Sequence, residues 1–155
     1  MTTPHIFLPR GIRNNNPGNI RRTSETWQGQ KTPGNDASFI EFETPVYGLR
    51  ALMRVLLVYR LRYGLDSVES IINRFAPPHE NATDHYIHAV SKALGVKRTD
   101  FIDVHDSKTM MTLARAIVNH ENGRPEFFDR TEWYPARLYE EAAQHLSLLK
   151  RKESI

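Results

Sequence analysis

The sequence predicts a single α+β domain, mainly helical, in which a small N-terminal antiparallel β region precedes about five helices. Three observations predict it. Over residues 1–44, short apolar pieces alternate with turn signals such as Asn14-Asn15-Asn16-Pro17-Gly18-Asn19 and Pro33-Gly34-Asn35-Asp36. From Thr44 the apolar residues recur instead at helical spacing. No linker, repeat or low-complexity tract divides the 155 residues, so one domain spans 1–155, long enough to bury a core.

The elements follow in order. Phe39-Ile40-Glu41-Phe42-Glu43 alternates, setting Phe39, Glu41 and Glu43 on one face and Ile40 and Phe42 on the other, which reads as one of two or three short strands. Thr44 is suited to cap a helix with Pro45 at its first position, and Leu49, Leu52, Met53, Leu56 and Leu57 carry that helix to Gly64. Asp66-Ser67 opens a short helix containing Val68, Ile71 and Ile72, and Pro77-Pro78 forces a loop. Further helices are expected over about 81–94, closed by Gly95, from about Asp106-Ser107 to Gly123, and over about 135–150.

Composition narrows the function. With 39% hydrophobic and 25% charged residues, the chain is neither disordered nor a membrane-spanning protein, and no run approaches the roughly 20 apolar residues of a membrane helix. The first residues, MTTPHIFLPRG, lack the apolar segment of a secretory signal, so no signal peptide is expected. Cysteine is absent, which removes disulfides and thiolate chemistry. The net charge of +3 is mild, and its basic residues are scattered apart from Arg21-Arg22 and the tail Lys150-Arg151-Lys152. Nucleic acid is therefore not the expected partner. Leu146, Leu148 and Leu149 with that tail read as a solvated helix end rather than a stable membrane insertion.

The segment from Leu113 to Gly123 carries the strongest chemical signal. Leu113 and Ile117 form an i, i+4 stripe, and Glu121 is its next member, so a carboxylate continues a buried face into the last helical turn. Partial burial and the negative end of the helix dipole both favour the protonated carboxyl, as a general acid requires. The alternative is a solvated glutamate before a glycine cap. Histidines 79, 85, 88, 105 and 120 do not form a zinc motif, and neither a Gly-x-Ser-x-Gly elbow nor a phosphate-binding glycine pattern occurs; no metal or cofactor is expected. Among the aromatic residues most read as core or rim, with Trp27 and Tyr86 gaining weight from the resemblance below.

Arg13-Asn14-Asn15-Asn16-Pro17-Gly18-Asn19-Ile20-Arg21, Trp27-Gln28-Gly29-Gln30, Phe39 and Phe42 with Thr44-Pro45, Gly48-Leu49-Arg50-Ala51, Ile71-Ile72-Asn73-Arg74, Ala76-Pro77-Pro78, Glu80-Asn81, Thr83, Tyr86-Ile87 and Asn119-His120-Glu121-Asn122-Gly123 together cover most of the chain. In this set the sequence resembles small phage-encoded proteins of the lysozyme-like and lytic transglycosylase superfamily, peptidoglycan-degrading endolysins or virion-associated lysins. Members of the wider superfamily carry a catalytic glutamate at a helix end, followed by a small β region and further helices. Here the chain begins with the β region, and the glutamate-bearing helix follows near the C-terminus. The resemblance thus implies a circularly permuted lysozyme-like domain with Glu121 as the catalytic acid.

What the resemblance implies for function is cleavage of the β-1,4 bond between N-acetylmuramic acid and N-acetylglucosamine in peptidoglycan glycan strands by a monomer. Two subclasses stay open. A muramidase uses a second carboxylate, for which Glu41, Glu43 and Glu80 stand out, with Asp36 also in the β region. A lytic transglycosylase uses the muramic acid 6-hydroxyl and leaves a 1,6-anhydro product. Asn19, Arg21, Trp27, Gln28, Gln30, Thr83 and Tyr86 are the implied substrate-binding residues, although the polar ones among Asn19, Arg21, Gln28 and Gln30 equally suit turn capping. The implied setting is phage lysis or wall penetration, from the host cytoplasm towards the periplasm or on the virion. The competing expectation is a non-catalytic virion structural or wall-binding protein that keeps the fold.

Overall fold

Helix signals in this chain are local, and most of them act where the sequence sets them. The computed structural model describes residues 8–79 and 81–149. In chain order these form α1 (Arg10–Arg13), α2 (Pro45–Tyr63), α3 (Val68–Phe75), α4 (Thr83–Leu94), α5 (Ser107–Asn122), a 3-10 turn (Pro125–Phe128) and α6 (Ala136–His145). Thr44 stays extended before Pro45, and Gly64 ends α2 in the left-handed region at φ 63°. Ser67 and Ser70 satisfy one another's backbone N–H groups in a capping box that starts α3. Asp106 accepts the Thr109 N–H at 3.0 Å and starts α5.

The helices bury one continuous core. α2 packs on α6, α4 on α5 and on α3, and α1 also reaches α5. Leu49, Leu52, Met53 and Leu56 of α2 meet Met110, Leu113 and Ile117 of α5, with Val68, Ile71 and Ile72 of α3 in the same cluster. At roughly 25 cal/mol per Å² of apolar surface removed from water, these fully buried side chains supply most of the stabilising energy. The last helix is shorter than the expected 135–150. It stops at His145, and Ser147 turns at φ 60° while the Leu148 N–H returns to the Ala143 carbonyl at 2.9 Å. The tail Lys150-Arg151-Lys152 lies outside the described residues. No helix among the described residues is long and apolar enough to cross a membrane.

The expected α+β class and its N-terminal antiparallel β region are not what the chain forms. The described residues contain six α-helices and two isolated antiparallel bridges, Arg21 with Phe39 and Gln30 with Phe42, and no sheet. The alternation itself holds: Ile40 and Phe42 are buried in a second small cluster with Ala51, and Phe39, Glu41 and Glu43 are not buried. What fails is the ladder. Pairing is limited to contacts such as Arg22 N–H to the Ser38 carbonyl (2.9 Å) and Lys31 N–H to the Glu41 carbonyl (2.8 Å). Side chains take backbone groups that a ladder would need. Asn16 donates to the Ile20 and Ile40 carbonyls at 3.0 and 2.9 Å and accepts the Ile20 N–H at 3.0 Å. Asn15 donates to the Phe42 carbonyl at 3.1 Å, and Asp36 accepts the N–H groups of Ser38 and Phe39. Short polar side chains compete with the ladder in this way. The left-handed conformations of Asn15 (φ 52°) and Asn19 (φ 51°) also turn the chain out of the extended region.

Candidate functional site

The asparagine-stapled loop closes onto the end of α5. Asn122, buried, donates to the Pro17 carbonyl and to the Val118 carbonyl, each at 2.9 Å, clipping the loop to the last helical turn. The close approach depends on Gly11 in α1, where a Cβ would lie 2.6 Å from Asn122 Oδ1 and 2.9 Å from Asn19 Oδ1. Beyond the clip, the left-handed turn at Asn19 brings its Nδ2 to 3.1 Å from Glu121 Oε1, joining residues 102 apart in sequence. Glu121 is half-buried, one turn after the fully buried Ile117.

Glu121 opens into a cleft of about 840 Å³. The N-terminal segment contributes Asn19, Ile20, Arg21, Trp27 and Phe39; α2 contributes Val55 and Tyr59; the end of α3 contributes Phe75, followed by Ala76. Among the described lining residues Glu121 is the one carboxylate. The buried Nε1 of Trp27 has no hydrogen-bond partner among the described residues.

Two rings stand beside the acid. Tyr86 of α4 is only 2% exposed, and its ring stacks on His120 with centroids 3.8 Å apart and planes at 25°. Burial, and next the negative charge of Glu121, push the Tyr86 phenol far above its ordinary range. Its buried hydroxyl faces that carboxylate without reaching good hydrogen-bond geometry. Partial burial pushes the His120 imidazole down, while Glu121 acts in the opposite sense and His85 reinforces the shift.

The sequence-derived site residues divide accordingly. Glu121, Asn19, Arg21 and Trp27 share the cleft. Tyr86 supports it from inside the core. Thr83 is buried and donates to the Ala76 carbonyl at 2.6 Å, so it ties the start of α4 to the end of α3. Gln30 accepts the Trp27 N–H at 3.0 Å, the turn-capping role, and Gln28 is exposed outside the cleft lining. Glu41 accepts the Asn35 N–H at 2.6 Å and Glu43 is exposed; neither lines the cleft. Asp36 is consumed by Arg10, with both contacts at 2.6 Å, and by Asn14 at 3.0 Å; the Arg10 guanidinium holds its carboxyl well below the usual carboxylate range. Glu80 lies outside the described residues. Tyr59, Val55 and Phe75 were not singled out as site residues from sequence, although Tyr59 continues the Leu52–Leu56 stripe of α2 by three residues. Among the described residues no three His, Asp or Glu side chains gather to hold a metal ion.

No protein-family model matches the chain. It is similar to Protein P5 of Pseudoalteromonas phage PM2, at 41% identity over 117 residues that cover 74% of this chain and 71% of that protein. At that identity and coverage, the chain belongs to the family of the phage PM2 Protein P5.

Proposed function

We propose that the chain is a peptidoglycan-degrading glycosidase that cleaves the β-1,4 bond between N-acetylmuramic acid and N-acetylglucosamine, with Glu121 as general acid. The observation that carries the reading is the position of Glu121: half-buried, held by Asn19 at 3.1 Å, and the one described carboxylate in a cleft of about 840 Å³. Glu121 delivers its proton to the glycosidic oxygen as the C–O bond breaks and an oxocarbenium-like centre develops. Asn19 fixes the carboxyl orientation, and the ring of Trp27 lines the cleft as an apolar wall for a sugar.

With Glu121 the one carboxylate among the described lining residues, the lytic transglycosylase route is favoured over water attack. The 6-hydroxyl of the muramic residue closes on its own anomeric carbon, and its proton passes to the Glu121 carboxylate, restoring the acid. The product ends in a 1,6-anhydro ring. Membership of a phage protein's family suits a role in lysis or in local wall opening, within the host or from the virion. The test is mass analysis of Gram-negative sacculi digested by the purified protein. Muropeptides with 1,6-anhydro ends are expected; reducing ends would move the assignment to a muramidase, and no release between about pH 5 and 8 would overturn the enzyme reading.

A further inference from the structure

We propose that this cleft selects a glycan bearing carboxylates, read by Arg21 and Arg74; the inference rests on the glycosidase reading and adds the substituent that the substrate must carry. Arg21, exposed at the cleft, holds its guanidinium 5.0 Å from the centre of the Phe39 ring and has no carboxylate partner among the described residues. Its neighbours differ. Arg10, over the same ring at 4.6 Å, is neutralised by Asp36 at 2.6 Å, and Arg22 donates to the Asp36 carbonyl at 2.6 Å. Arg74, exposed near the end of α3, stands 3.7 Å over Tyr63 and 5.4 Å from the ring of Tyr59, a cleft residue, and it too lacks a carboxylate partner among the described residues.

A guanidinium lying on an aromatic face keeps its N–H edge free for a planar anion. The two arginines therefore present unspent positive charge on separate elements, while the neutral polar residues of the cleft lining, Asn19, Thr23 and Asn81, suit acetamido and hydroxyl groups. The carboxylates of the peptide stems on muramic acid supply the missing counter-charge, and a neutral polymer of N-acetylglucosamine does not. Nucleic acid fits less well, because a phosphate at every residue would bring negative charge against Glu121.

The experiment is calorimetric titration of Glu121→Gln protein with a soluble disaccharide-tetrapeptide muropeptide, the same muropeptide with its carboxylates amidated, and chitotetraose, and of the native chain, whose Glu121 charge is intact, with a thymidine oligonucleotide. The unmodified muropeptide should bind best. Arg21→Met and Arg74→Met, added singly, should each weaken its binding about three- to tenfold and leave chitotetraose binding within about twofold. Unchanged muropeptide affinity in both variants, equal binding of the amidated probe, or tighter binding of the oligonucleotide would each overturn the proposal. Muropeptide release by the chain with native Glu121 is read separately. Cleavage without an arginine effect sinks this inference alone, whereas an arginine effect without cleavage upholds it and sinks the catalytic reading.

Discussion

Replacing Asn16 by alanine tests the idea that side chains do the work of a sheet in the N-terminal segment. Asn16 is fully buried and makes three hydrogen bonds to backbone, at 3.0, 2.9 and 3.0 Å. Alanine strands the Ile40 carbonyl in the interior, at about 1–3 kcal/mol for an unsatisfied buried group, and removes two partly buried bonds to Ile20 worth about 0.5–1.5 kcal/mol each. Allowing for relaxation, the loss is about 3 kcal/mol, or a fall of about 6–12 °C in Tm for a domain of this size. Urea unfolding followed by circular dichroism and tryptophan fluorescence measures it. Asn16→Asp should be at least as damaging, because it sets a carboxylate against two carbonyl oxygens. A loss below about 1 kcal/mol in Asn16→Ala would refute the reasoning and return the segment's stability to the Ile40–Phe42 cluster.

Two further outcomes follow from named contacts. The folded-state pKa of Asp36 is depressed, so its stabilising contribution is complete above the unfolded value of about 3.9 and is lost as pH falls through the folded one. The difference in urea midpoint between the native chain and Asp36→Asn should thus be full at pH 7 and shrink below about pH 4; a difference independent of pH would contradict the charge-based account. Tyr86→Phe removes a buried hydroxyl that faces Glu121 but makes no well-formed hydrogen bond among the described residues, so Tm should hold or rise while turnover falls about tenfold or more. Lower stability with unchanged turnover would make Tyr86 a packing residue.

The helical part of the fold was legible because its signals are local. Thr44-Pro45, Ser67, Asp106, Gly64 and Gly95 each sit at a helix boundary, and the period of the apolar residues names the buried faces. The N-terminal segment was misread for a reason that the residue pattern does not carry. Alternation at Phe39–Glu43 reports which side chains are buried, but pairing also requires free backbone groups on the partner segment. Asn15 and Asn16, read as part of a turn signal, occupy those groups from up to 28 residues away.

The site shows the same division. Glu121 could be found because it extends the stripe of Leu113 and Ile117 on its own helix. Its partner Asn19 is 102 residues distant, and only the folded chain joins them. Gln30 suited either sugar binding or a turn, and the structure shows the turn, a bond to Trp27 three residues back. Tyr59 and Phe75 escaped notice as site residues because tertiary packing decides which part of a helix borders a cleft.

Release of soluble muropeptides from Gram-negative sacculis by the native chain and by Glu121→Gln, with both folds checked by circular dichroism, tests the central claim most directly. The amide keeps the shape of the carboxyl and removes its proton. The account predicts release by the native chain and a loss of about 10²–10⁴-fold in the variant, at equal or higher Tm. Native-level release by Glu121→Gln, or no release by either protein, would contradict it.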